Sequence, residues 1–144
     1  MLQFYTLALY AASALTLCAA LLHFICIFTG ASGFRVLGAG KSITKMAEDG
    51  HWYPRFIAFV LGSMLTVFSL YAFYAAKAER LLPFTEIILP FIAGVLLLRG
   101  FAFPWLKSKF VGNSDLFWYV SSSGCIILGA LYAVGSLQFL KYFL

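Results

Sequence analysis

Four long apolar runs separated by polar interruptions make up the hydrophobic pattern of this chain. The first, Leu2 to Thr29, contains no Asp, Glu, Lys or Arg. The second runs from Phe56 to Ala76, the third from Leu81 to Leu106, and the fourth from Leu116 to Leu140, closed by Lys141. About 20 apolar residues carry a helix across a bilayer, so each run predicts a transmembrane helix. A β-barrel would instead alternate apolar and polar positions with period two in segments of about ten residues. The first run also exceeds the 7–15 apolar residues of a signal-peptide core, has no basic stretch before it, and reads as a retained span. The third run is interrupted by Pro83, Glu86, Pro90, Arg99 and Pro104.

The connections differ in length. Lys77-Ala78-Glu79-Arg80 predicts a tight hairpin between spans two and three, and Gly112-Asn113 a turn between spans three and four. The first connection, residues 30–55, is longer and opens with glycines at 30, 33, 38 and 40, which suit irregular backbone. Within it, Ser42 is placed to N-cap a short helix through Asp49, with Gly50 at its C′ position. Ile43, Met46 and Ala47 share one face of that helix, flanked by Lys41 and Lys45, the pattern of a short interfacial helix. An ordinary connecting turn is the alternative. The expected fold class is therefore all-α: a single polytopic membrane domain over residues 1–144, with a four-transmembrane-helix bundle and a short interfacial helix in the first loop.

Composition excludes the soluble alternatives. The 144 residues are 63% hydrophobic and 10% charged, against about 45–50% and 25% in soluble domains. Net charge is +5, but the basic residues stand singly or in pairs at the ends of apolar runs. That placement fits anchorage to lipid headgroups and predicts no nucleic-acid partner. Cys18, Cys26 and Cys125 lie within apolar stretches, with no CxxC, and read as packing residues. Small residues recur at four-residue intervals: Ala8, Ala12, Thr16 and Ala20; Ala58, Gly62 and Thr66; Ser121, Cys125, Gly129 and Ala133. Such ridges let helices approach closely in lipid, within one bundle or across a homodimer. Aromatic residues including Trp105, Trp118 and Tyr132 read as belts near span ends.

Charge at membrane depth is costly and marks candidate chemistry. Glu86 and Arg99 are about 20 Å apart along one helix and cannot pair with each other there. Arg99 either snorkels or meets Asp115 or Glu48. Glu86 either sits at the headgroup level near Arg80 or is a buried proton carrier. His23 and Cys26 share a helix face near loop one, where Glu48 and His51 offer further metal donors. A histidine bonded to a backbone carbonyl is the competing reading. His23, Arg35, Glu48, His51, Arg55, Arg99 and Asp115 all map to the face carrying loops one and three, which predicts a cavity roofed by loop one and floored by spans one, three and four. Lys/Arg bias places those loops in the cytoplasm and both termini outside: Arg35, Lys41, Lys45, Arg55, Lys107 and Lys109 outnumber Lys77, Arg80 and Lys141. No G-x-S-x-G, Walker A or H-E-x-x-H is present.

Gly38-Ala39-Gly40, Ala47-Glu48-x-Gly50, Pro54, Leu70-Tyr71-Ala72, Leu81-Leu82-Pro83, Leu98-Arg99-Gly100 and Phe117-Trp118 with its following serines form a combination. Over about residues 35–135 it resembles a group of small bacterial four-span inner-membrane proteins of uncharacterised function. The group has small residues after the Leu-Tyr-Ala element, where this chain has Phe73 and Tyr74. The resemblance implies the fold and a bacterial inner membrane, brings no activity, and places Glu48, Pro54 and Arg99 inside its motifs. Three functional expectations follow. One is a non-enzymatic protein supporting cell-envelope integrity by binding membrane lipid, another amphipathic ligand or a larger membrane complex. The second is a small transporter proton-coupled through Glu86. The third is a metal-binding protein or enzyme using His23, Cys26, Glu48 and His51. No organic cofactor is expected.

Overall fold

The structure, a computed structural model, describes residues 2–78, 81–110 and 112–142. All regular elements among these residues are helical. They are α1 (Leu2–Thr29), α2 (Ala31–Val36), α3 (Lys41–Glu48), α4 (Trp52–Lys77), α5 (Thr85–Phe101), α6 (Phe103–Lys109), α7 (Asp115–Ser136) and a terminal 3-10 helix (Leu137–Tyr142). Three of them, α1, α4 and α7, are long and apolar enough to cross a membrane, and α5 with α6 makes a fourth if that bent pair counts as one span.

The third apolar run is the main departure from the expected pattern. It does not form one helix over 81–106. Phe84 adopts a left-handed conformation and α5 begins only at Thr85. The helix stops at Phe101, and α6 leaves it at an angle of 62°. Pro104, in the first turn of α6, has no N–H to donate to the Gly100 carbonyl, and its ring would clash with that carbonyl if α5 continued straight on. With 17 residues, α5 is about 26 Å long, short of the roughly 30 Å hydrocarbon thickness. The exposed Trp105 and the lysines Lys107 and Lys109 on α6 are residue types that settle at a membrane–water interface.

The first connection is more ordered than the sequence predicts. A second short helix, α2, precedes α3. The expected cap at Ser42 is not used: α3 begins two residues earlier, at Lys41 after Gly40, with no side-chain cap. Gly50 follows the helix with φ +75°, as a C′ glycine does. Span two begins at Trp52 rather than Phe56, because Pro54 falls in the first turn, where a missing N–H costs nothing. Residues Glu79 and Arg80 of the expected hairpin lie outside the described residues.

The long helices pack in the order α4, α1, α7, α5, with α4 and α5 meeting only lightly. The α1 ridge is buried as its spacing predicts: Ala8, Ala12, Thr16 and Ala20 are all inaccessible or nearly so. On α7 only Gly129 of the expected ridge is buried, and the buried seam runs through Trp118, Ser122, Leu128, Gly129, Tyr132 and Gly135. Trp118 and Tyr132 are therefore core residues, not belt residues, and the Tyr132 hydroxyl meets Thr16 Oγ1 at 3.3 Å.

A reciprocal serine clasp ties α1 to α4. Ser13 Oγ donates to the Ser69 carbonyl at 3.0 Å, and Ser69 Oγ donates to the Ser13 carbonyl at 2.8 Å. Both serines are buried. Polar bonds between membrane helices contribute about 0.6 kcal/mol on average and at most about 1.7. Ser13→Ala is therefore expected to cost about 1 kcal/mol. The Ser13→Ala/Ser69→Ala pair should cost less than the two single changes together, because the 3.0 Å contact between the two hydroxyl oxygens is already lost in either single change. Reversible unfolding in micelles would measure this cycle, and strict additivity would show that the clasp does not act as a unit.

Candidate functional site

Loops one and three meet at one end of the bundle through glycines. A Cβ on Gly40 would lie 2.5 Å from Asn113 Oδ1 and 3.2 Å from the Gly112 carbonyl carbon. A Cβ on Gly38, which has φ +77°, would lie 3.0 Å from Phe117 Cβ. The Gly38-Ala39-Gly40 element thus draws the two loops into direct contact. Ser114 caps α7 by accepting from the Phe117 N–H at 3.1 Å. Across α2 and α3, Arg35 Nη2 donates to Glu48 Oε1.

Below this roof lies a cavity of about 360 Å³. Its walls are α1 (Ala19, Leu22, His23, Cys26), α4 (Pro54, Ile57, Ala58, Leu61) and α7 (Phe117, Val120, Ser121). Loop one contributes Phe34, Leu37, Ala39, Gly40 and Ile43, and loop three Asn113. The expected floor of spans one, three and four is thus spans one, two and four, since α5 packs behind α7. Leu61 and Val120 line the cavity and are themselves exposed, Val120 to 64%. These rim residues belong to long apolar helices, so the cavity opens sideways toward the surface that lipid would cover.

Polar groups are few in this cavity. His23 Nδ1 lies 2.7 Å from the Ala19 carbonyl, which only accepts, so Nδ1 donates; in the neutral ring Nε2 then carries the free lone pair. Ser121 Oγ accepts from Arg99 Nη2 at 3.3 Å. Arg99 Nη1 reaches Ser122 Oγ at 3.4 Å, and the guanidinium lies 5.3 Å from the Trp118 ring centroid. Arg99 stands in the last turn of α5, where the carbonyl ends of the helix favour a cation. The close α5–α7 approach that puts it there depends on Gly100, where a Cβ would lie 3.1 Å from the Ser122 carbonyl oxygen.

The structure separates the sequence candidates. His23 lines the cavity, and Arg99 touches its wall through Ser121. Arg35 and Glu48 line a different, open polar groove of about 620 Å³ on the outer side of loop one, with Lys41 and Lys45. Asp115 pairs with Lys107 at 2.7 Å rather than with Arg99. Arg99 has no carboxylate partner among the described residues, so the expected pairing with Asp115 or Glu48 does not form. His51 and Arg55 are exposed at the start of α4 and line neither space. Glu86 is half-buried in the first turn of α5, at the opposite end from Arg99, where backbone N–H groups favour a carboxylate.

His23, Cys26, Glu48 and His51 do not converge as a metal set. Among the described residues no three His, Cys, Asp or Glu side chains gather as metal donors. The physical reason is that His23 is tied back to its own helix, Cys26 is packed with Phe34 and Ala58, and Glu48 is held by Arg35. Sequence reasoning overlooked Trp118, Ser121, Ser122 and Asn113. The adjacent motifs Leu98-Arg99-Gly100 and Phe117-Trp118 with its serines carried the signal, but a run of serines inside a helix reads first as packing.

No family model matches the chain, and no curated protein or solved structure matches it. Its class rests on its own architecture, in which helix length and composition mark an all-helical membrane protein.

Proposed function

We propose that the chain is a four-span, non-enzymatic protein of a bacterial inner membrane that supports cell-envelope integrity by holding a lipid-like or amphipathic ligand. The observation that carries this reading is the side-opening apolar cavity with a few polar groups at one end. Binding sites for small molecules are mostly apolar concavities of about 300–1,000 Å³ with a few orienting polar groups, and this cavity is about 360 Å³. Its lipid-side rim lets an apolar tail enter from the bilayer without crossing water. In this reading α3 lies in the interface, loops one and three face the cytoplasm and both termini face outward, supported by the basic residues of those loops.

The test is native mass spectrometry of the protein purified from membranes, with a cavity-filling variant as comparison. Ala19 lines the cavity and is half-buried, so Ala19→Leu adds bulk there with little strain on helix α1. The wild type is expected to retain a bound lipid-like molecule and Ala19→Leu to lose most of it at unchanged folding. Equal lipid retention by the two proteins would reject the cavity as the binding site.

A further inference from the structure

We propose that the ligand of this cavity is an anionic single-chain amphiphile, a long-chain carboxylate or alkyl phosphate, whose acidic headgroup accepts from the Ser121 hydroxyl, with the Arg99 charge directly behind that hydroxyl. The inference rests on the reading of the cavity as a lipid-like site and assigns the headgroup chemistry that reading leaves open.

A guanidinium has five donors and a charge that is never given up. The described partners of Arg99 are two serine hydroxyls at 3.3 and 3.4 Å, near the long end of hydrogen bonding, and the face of Trp118. None of these carries a negative charge. The described ion pairs of this end of the molecule, Arg35 with Glu48 and Lys107 with Asp115, use up two carboxylates elsewhere. Arg99 is thus oriented but not neutralised, in a half-buried position where a lone cation is costly. An acidic headgroup hydrogen-bonded to Ser121 supplies the missing charge one hydroxyl away from the guanidinium, which does not itself line the cavity.

Ser121 connects this cation to the cavity. Its oxygen accepts from Arg99, so its own O–H is left to donate, and the same side chain lines the cavity. The remainder of the wall is apolar, apart from His23 and Asn113. A cavity of about 360 Å³ takes part of one chain, not a two-chain lipid, and the exposed rim at Leu61 and Val120 lets the rest of that chain continue into the bilayer.

The experiment measures binding of dodecanoate, dodecyl phosphate, 1-dodecanol and inorganic phosphate to the full chain in phosphatidylcholine nanodiscs. The two anionic amphiphiles are expected to bind about 10-fold or more tightly than 1-dodecanol, as a hydrogen bond to a charged acceptor with a guanidinium one hydroxyl away implies. Arg99→Gln is expected to remove that preference while leaving 1-dodecanol binding unchanged. Ser121→Ala, which keeps the Arg99 charge, is expected to weaken the anions severalfold and the alcohol less, so that the anion preference narrows, and serves if Arg99→Gln does not fold. Equal binding of anionic and neutral chains in wild type and variants overturns the headgroup assignment while the cavity reading stands. Inorganic phosphate binding as tightly as dodecyl phosphate overturns the chain requirement. Failure of all three chain probes, with lipid retention unaffected by Ala19→Leu, overturns the cavity reading and this inference together.

Discussion

Gly100→Ala is expected to destabilise the protein by about 3 kcal/mol, lowering the unfolding midpoint by roughly 10 °C. A Cβ at this position would lie 2.5 Å from Ile126 Cγ1, 3.1 Å from the Ser122 carbonyl oxygen and 3.2 Å from the Ile126 nitrogen. The first contact could be relieved by a rotamer change of Ile126. The other two are with the backbone of α7 and are relieved only by moving one helix away from the other. That displacement also withdraws Arg99 from Ser121 and Ser122, since Arg99 precedes Gly100 on α5. The informative control is Gly94→Ala in the same helix. Nothing lies within 4 Å of a Cβ there, so the gain of about 1 kcal/mol in helix propensity should leave stability unchanged or raised. Thermal unfolding of both variants under one set of micelle conditions decides the matter. A Gly100→Ala protein as stable as Gly94→Ala would mean that α5 and α7 do not meet at Gly100.

The second large effect lies at the junction of α1 and α7. Leu9 is fully buried and fills the space over Gly135, where a Cβ would come within 2.3 Å of Leu9 Cδ2 and 2.4 Å of Cγ. Leu9→Ala is expected to cost about 3 kcal/mol through lost packing and the void left behind. Gly135→Ala is expected to cost about 2 kcal/mol through overpacking against an unyielding side chain. The double variant should be more stable than the sum of these losses by at least about 1 kcal/mol, because shortening Leu9 frees the space that the new methyl group needs. An unfolding cycle over the four proteins measures this coupling, and an additive result would exclude direct packing of Leu9 on Gly135.

Much of the architecture was legible in the chain. The unbroken run from Leu2 to Thr29 predicts α1 to the residue, and the four-residue spacing of Ala8, Ala12, Thr16 and Ala20 names its buried face correctly. Those features are local: helix period and side-chain size act within a few turns. The concentration of polar residues at loop one similarly indicated which end of the molecule holds the cavity. Less was legible where distant segments decide the outcome. Gly135 has no partner in its own sequence neighbourhood and is required by Leu9 at the far end of the chain. Trp118 and Tyr132 resemble interfacial aromatics by position, yet helix crossing turns them into the core. Pro104 signalled a disturbance in the third run, but not the 62° bend that ends the span.

The candidate site divides in the same way. Arg99 stood out from the sequence because a charge within an apolar run is expensive wherever the helix goes. Its partners did not, because Glu48 and Asp115, the carboxylates expected to meet it, are claimed by Arg35 and Lys107. The serines that hold it instead come from a helix whose register against α5 is set by Gly100. The sequence by itself determined the solvent of this protein, the positions of α1, α4 and α7 to within a few residues and the end where its polar groups collect, since hydrophobicity and period are properties of each segment alone. Only the tertiary structure decided that the cavity lies between α1, α4 and α7, that the His23–Cys26–Glu48–His51 set is dispersed, and that Arg99 faces hydroxyls rather than a carboxylate. Those outcomes depend on how closely helices approach, and that distance is set by which small residues meet across the bundle.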